Sequence, residues 1–188
     1  MRIILASQSP RRRELLEMLQ IPYEAIVSEV EETVPEDIAP GALVEALALQ
    51  KAQAVFAQYP EACVIGADTI VYIDGEIVGK PKDDADAAKI LGKLQGRSHE
   101  VYTGVAVLTP SGTQVECDVT RVTFAPMTER EISWYVATGE PWDKAGAYGI
   151  QGPGGIFVNR VEGNYFTVIG MPLPLLYRML AKAGALVI

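Results

Sequence analysis

Histidine is almost missing from this 188-residue chain: His99 stands alone beside 16 Lys+Arg and 24 Asp+Glu side chains. One imidazole excludes a zinc site built on several histidines. No serine-histidine-aspartate pattern surrounds it, and at a strand start it reads as structural rather than catalytic. Cysteine is scarce too, with Cys63 and Cys117 far apart and without metal-ligand spacing. Both sit in apolar, strand-like runs and are expected to be buried free thiols. Positive charge is in deficit, at a net −8, which argues against coating a nucleic-acid backbone but leaves room for a local basic pocket that takes a small anion. Long apolar runs are lacking as well. "PLPLLYRMLAKAGALVI" is broken by Pro174, Arg178 and Lys182, and "MRIILASQSP" is a poor signal peptide. The expectation is a cytoplasmic protein with no membrane and no nucleic-acid partner. There is no internal repeat, and the glycines at 146, 149, 152, 154 and 155 match neither a dinucleotide fingerprint nor a P-loop.

What is present is an ordinary globular composition, 49% hydrophobic and 21% charged, long enough for one domain or one domain folded as two lobes. "RIILA" (2–6) reads as a buried strand. Ser9 then caps a helix with Pro10 at its first position and an apolar face of Leu15, Leu16, Met18 and Leu19. "YEAIV" (23–27) is a second strand, followed by the acidic loop "SEVEETVPEDIAP", expected to be the most mobile segment. A long helix is predicted over 41–60, a strand with an Asp-Gly hairpin signal over 62–78, and an acid-initiated helix over 83–94. Two long strands follow within 99–127, then a helix opened by the capping box Thr128 and Glu131, the glycine-rich run 146–158 and a last helix around Leu175–Leu180. Helices interspersed with hairpins and isolated strands predict an α/β fold with a mixed sheet.

Several residues carry chemical potential. Arg11, Arg12 and Arg13 fill a helix's opening turn, where the macrodipole disfavours cations. They are either solvated charges or, with Ser7, Ser9 and the helix's free N–H donors, an anion site; the pattern favours the anion site. Because neighbours on a helix are about 100° apart, the three cannot share one direction. Lys51 falls on the apolar stripe of Leu43, Leu47 and Val55, where it either snorkels to the edge, the safer reading, or points into a cleft. Asp68, beyond Val64, Ile65 and the close-approach residue Gly66, can accept a water's proton, hold a cation or simply bond within a turn. Lys80 before Pro81 is a weak signal alone. Glu29, Glu31 and Glu32 read as a solvated acidic loop from which one carboxylate could ligate a metal. The glycine-rich run is either a tight turn or a substrate-facing loop.

Together, "LASQSPRRRELL", "EETVP", "LALQKA", "GADTIV", "GKP", "SHEVYTGVAV", "TGEPWDKAGAYGIQGPGGIFV" and "GNYFTVIGMPL" resemble, in order and nearly end to end, the Maf family of nucleoside triphosphate pyrophosphatases. The resemblance implies an elongated, curved mixed sheet with flanking helices and two lobes around a central cleft, similar to inosine triphosphate pyrophosphatases. It implies one domain spanning 1–188 and cleavage of a nucleoside triphosphate to the monophosphate and pyrophosphate with Mg²⁺ or Mn²⁺. By position, Asp68 resembles the proton acceptor, Ser9, Arg12, Arg13, Lys51 and Lys80 the triphosphate-binding set, and Glu32 the carboxylate that joins Asp68 at metal or water. Arg11, Thr69 and Gln151 resemble the specificity positions of the dTTP/UTP branch, where the 7-methyl-GTP branch carries an aromatic, a Gln and a Glu. A glutamine's donor and acceptor suit the amide edge of uracil or thymine. "GNYFTVIG" departs from the family's frequent "GSYTNVVG". The alternative to an enzyme is a non-catalytic nucleotide-binding regulator of division and septum formation; a homodimer is compatible with either.

Overall fold

In a computed structural model, residues 1–28 and 38–186 are described. The acidic loop's Glu29, Glu31 and Glu32, and the mobility expected of that loop, lie outside the described residues. The elements run β1 (Ile3–Leu5), α1 (Pro10–Met18), β2 (Glu24–Ala25), α2 (Pro40–Phe56), β3 (Cys63–Ile73), β4 (Glu76–Val78), α3 (Asp84–Leu94), β5 (Ser98–Thr109), β6 (Gly112–Phe124), α4 (Glu129–Ala137), β7 (Val158–Glu162), α5 (Tyr165–Ile169) and α6 (Leu173–Lys182). The strands pair in the order β2-β1-β3-β5-β6-β7, with β4 on β3. β1 is parallel to both β2 and β3, whereas β3–β4 and β6–β7 are antiparallel, so the sheet is mixed as predicted.

The chain divides into two compact units, one of Met1–Asp68, Thr103–Asp118 and Gly170–Ile188, the other of Thr69–Tyr102 and Val119–Ile169. In the first unit, Ile4, Ala6, Val64, Ala106 and Leu108 from the strands meet Ala48, Ala52 and Val55 of α2. Two glycines let α2 lie unusually close. A Cβ on Gly66 of β3 would sit 2.2 Å from the Ala48 carbonyl oxygen, and one on Gly104 of β5 would sit 2.3 Å from that of Val44. In the second unit, Leu91 and Leu94 of α3, Val122 and Phe124 of β6, and Ile132 and Tyr135 of α4 form a separate core. The β3–β4 hairpin turns on Asp74 (φ 54°) and Gly75 (φ 80°), the left-handed pair that the Asp-Gly signal predicts. The Thr128–Glu131 capping box is formed in both directions.

Some expectations need correction. Ser9 occupies the cap position of α1 without a side-chain capping bond; its own N–H donates instead to Ser7 Oγ at 3.2 Å. Met18 and Leu19 are exposed, so only Leu15 and Leu16 bury the helix face. The second strand shrinks to two exposed residues, because it lies at the sheet's edge and only β1 pairs with it. Cys63 is buried but Cys117 is only half-buried, on a stretch of β6 whose neighbours face solvent. Burial pushes both thiols up to about 11, helped at Cys117 by Glu45 and Asp118. His99 is structural as expected: buried, with Nε2 2.7 Å from the Tyr148 hydroxyl and its ring edge-on to Phe124.

Candidate active site

The first unit assembles charge on regular elements. Glycine at 66 and alanine at 48 and 52 remove the side chains that would hold α2 away from β3, so Lys51 is delivered onto the strand. Its Nζ donates to Asp68 Oδ1 at 2.6 Å, and the two side chains are only 17% and 13% exposed. Lys51 therefore does not snorkel, and Asp68 sits within a strand rather than a turn. An ion pair so largely removed from water holds both partners tightly, since releasing either one leaves a poorly solvated charge. What the pair offers chemically is a carboxylate of fixed direction, able to take a proton, with an ammonium beside it.

At the start of α1 the arginines separate, as the helical 100° spacing requires. Arg12 Nε donates to the carbonyl of Gly170 at 2.8 Å and its Nη1 reaches Ser7 Oγ at 3.3 Å. Gly170 takes φ 116°, open only to glycine, to present that carbonyl. Arg13 keeps Nε buried with no hydrogen-bond partner among the described residues. Its charge reaches Tyr23, where burial and the Glu17 hydrogen bond raise the phenol and Arg13 opposes them. Arg11 is half-buried and, like Arg12, has a further interaction of its own. Ser7, Ser9 and Arg12 are thus brought into one hydrogen-bonded group, and Lys51 with Asp68 into another.

The second unit carries the remaining candidates, one on a strand and two on loops. Thr69 is half-buried on β3, while Lys80 and Gln151 are exposed. Lys80 follows Gly79, whose carbonyl accepts from the Gly146 N–H at 3.0 Å, so the lysine's loop is tied to the glycine-rich run. That run is not slack: it forms short 3-10 turns at Ala145–Ala147 and Pro153–Phe157. A Cβ on Gly146 (φ 72°) would meet Val71 Cγ2 at 2.7 Å. Two side chains without a sequence signal organise it. Tyr135 Oη donates to Glu140 Oε2 at 2.6 Å, and the same oxygen accepts the Gly154 N–H at 2.8 Å. Burial drives the Tyr135 phenol far upward, and the Glu140 bond adds to this. The Gly170 carbonyl that anchors Arg12 was equally silent, since a backbone acceptor 158 residues away leaves no local pattern.

Glu32 lies outside the described residues, and among those described no group of three His, Cys, Asp or Glu side chains is placed to hold a metal. A hard divalent cation needs no such cage when a polyphosphate supplies most of its oxygens and one or two carboxylates suffice. The Asp68 carboxylate is an oxygen donor of the type such a cation takes, so the residues present would fit Mg²⁺ or Mn²⁺ carried on a substrate. No helix among the described residues is long and apolar enough to cross a membrane.

A mixed α/β fold with an Arg–Ser group at the start of one helix and a Lys–Asp pair across a helix and a strand defines a candidate phosphate-handling protein. The chain belongs to the Maf family: the model for Maf-like proteins matches residues 2–183. It is 53% identical over 181 residues to a dTTP/UTP pyrophosphatase of Bacillus cytotoxicus, covering 96% of this chain and 95% of the relative. A dTTP/UTP pyrophosphatase of Symbiobacterium thermophilum is 50% identical over 182 residues, with 97% and 94% covered. Among solved structures, the Ham1 protein of Staphylococcus aureus is 22% identical, with 66% of this chain and 72% of that chain covered and a TM-score of 0.47.

Proposed function

We propose that this protein is a nucleoside triphosphate pyrophosphatase that adds water across the α–β phosphoanhydride of dTTP and UTP, releasing the monophosphate and pyrophosphate. The substrate class follows from relatives at 50–53% identity over nearly the full chain. The structural observation that carries the chemistry is the Lys51–Asp68 pair, 2.6 Å apart and mostly buried. In this reading Asp68 accepts the proton of the attacking water, and Lys51 orients it and neutralises phosphate charge. Ser9, Arg12, Arg13 and Lys80 bind the triphosphate; the buried Nε of Arg13, without a hydrogen-bond partner among the described residues, is a donor suited to a phosphate oxygen. A divalent cation, Mg²⁺ or Mn²⁺, when bound lends Lewis-acid neutralisation of the phosphates, with Asp68 and Glu32 as its protein carboxylates. Arg11, Thr69 and Gln151 select the pyrimidine, Gln151 by pairing its amide with the base's amide edge. One folded domain carries all of this, and the site of action is the cytoplasm.

The test is pyrophosphate release from a panel of natural and modified nucleoside triphosphates with Mg²⁺ or Mn²⁺. Turnover highest on dTTP and UTP is expected. No turnover anywhere, with nucleotide still bound, would overturn the enzyme in favour of a nucleotide-binding regulator of division.

A further inference from the structure

We propose that Glu140, acting with Tyr135, is a positioning residue for Gln151: a clamp that fixes the turn presenting that amide and thereby sharpens discrimination between bases. The proposal rests on the reading of Gln151 as the base-selecting group. Gln151 is exposed, but the backbone on either side of it is not free. Two residues before it, the Gly149 N–H donates to Tyr135 Oη at 3.0 Å; three residues after it, the Gly154 N–H donates to Glu140 Oε2 at 2.8 Å. The two acceptors are themselves joined, Tyr135 Oη donating to the same Glu140 oxygen at 2.6 Å. One carboxylate and one phenol therefore hold both feet of the turn.

The close approaches show how tightly the turn is wrapped on them. A Cβ at Gly152 would lie 2.0 Å from Glu140 Oε1, one at Gly154 would lie 2.3 Å from Tyr135 Oη, and one at Gly149 would lie 3.2 Å from Glu140 Oε1. The glycines beside Gln151 are there so that the backbone can close on this carboxylate. The clamp has a firm base. Tyr135 is wholly buried on α4 with its ring 5.6 Å from that of Phe157, and Glu140 follows Gly139 in the left-handed conformation. Lys144 Nζ caps the Glu140 carbonyl at 2.8 Å. A side-chain amide reads a base only if its position is fixed to a fraction of an ångström, which an unclamped glycine-rich turn does not supply.

The experiment measures kcat/KM for dTTP and for GTP on wild type, E140A, E140Q, Y135F, Q151A and the double variant E140A/Q151A. E140A is expected to lower the dTTP-to-GTP ratio about tenfold, mainly through KM for dTTP, the loss that follows from one charge-assisted hydrogen bond. E140Q, whose amide oxygen can accept the same N–H and O–H, should keep most of the ratio. In the Q151A background E140A should change the ratio no further, because the clamp has lost what it positions. An unchanged ratio in E140A, or losses that add in the double variant, would overturn the proposal. Should E140A not fold, Y135F removes a single hydroxyl and is read by the same criteria. A wild-type enzyme inactive on dTTP and UTP would sink the functional reading instead, which is a different result from an active enzyme whose ratio ignores Glu140.

Discussion

The two units solve opposite problems with opposite materials. In the first, charged side chains stand on a regular helix and strand, and the Lys51–Asp68 pair owes its place to backbone packing at Gly66. In the second, the base-selecting candidate Gln151 stands on irregular turns, and side chains hold the backbone instead. Under the proposed roles, the proton acceptor Asp68 would stand on regular backbone, which is easily kept rigid, and Gln151 on a loop that can vary without disturbing it.

Substitutions can break that division of labour, and the largest effect is expected at the carboxylate. Asp68→Asn should cut kcat for pyrophosphate release from dTTP about a thousandfold, the scale of a lost general base, while circular dichroism remains native. Substantial surviving turnover would remove Asp68 from that role. Acid should strike the second unit. Burial holds His99 down to about 4 from an ordinary 6.5, so the folded state disfavours its charged form. The unfolded chain takes up that proton first as pH falls. Stability is thus complete above about pH 6.5 and lost progressively down to pH 4, by on the order of 3 kcal/mol. Urea midpoints across that range check this, and His99→Gln should flatten the trend; an equally steep variant would place the acid sensitivity elsewhere.

Smaller effects sharpen the contrast. Lys51→Ala should cost about 2 kcal/mol in a urea melt as well as activity, because it strands a largely buried carboxylate. A loss of activity with full stability would mean that the pair does no structural work. Gln151→Glu should leave stability within about 0.5 kcal/mol, being exposed. It should lower kcat/KM for dTTP relative to GTP about tenfold. An unchanged substrate ranking would count against the pyrimidine role of that residue.

Two local signals in the sequence held, although the equally local Ser9 cap did not form its side-chain bond. The capping box at Thr128 and the Asp74-Gly75 turn each depend on a few adjacent residues, and both form as their chemistry predicts. Side-chain direction was not legible. Periodicity places Lys51 on the apolar stripe, but whether it reaches outward or inward depends on how near β3 comes, which glycine and alanine on different elements decide together. Likewise the triplet Arg11–Arg13 raises the expectation of an anion site, yet nothing nearby says that Arg12 is spent partly on Gly170. The bond between Tyr135 and Glu140 gives no signal, since an ordinary core tyrosine and an ordinary turn glutamate have the same letters.

The hydrogen bond from Arg12 to Gly170 also sets a timetable. Synthesis delivers Arg12 earlier, by 158 residues, than the carbonyl that anchors it. A chain emerging from a ribosome therefore carries its basic helix without that support until Gly170 has been added. The arginine helix gains this brace only when Gly170 arrives, so a product ended before that residue would keep the arginines but lack the contact that directs Arg12.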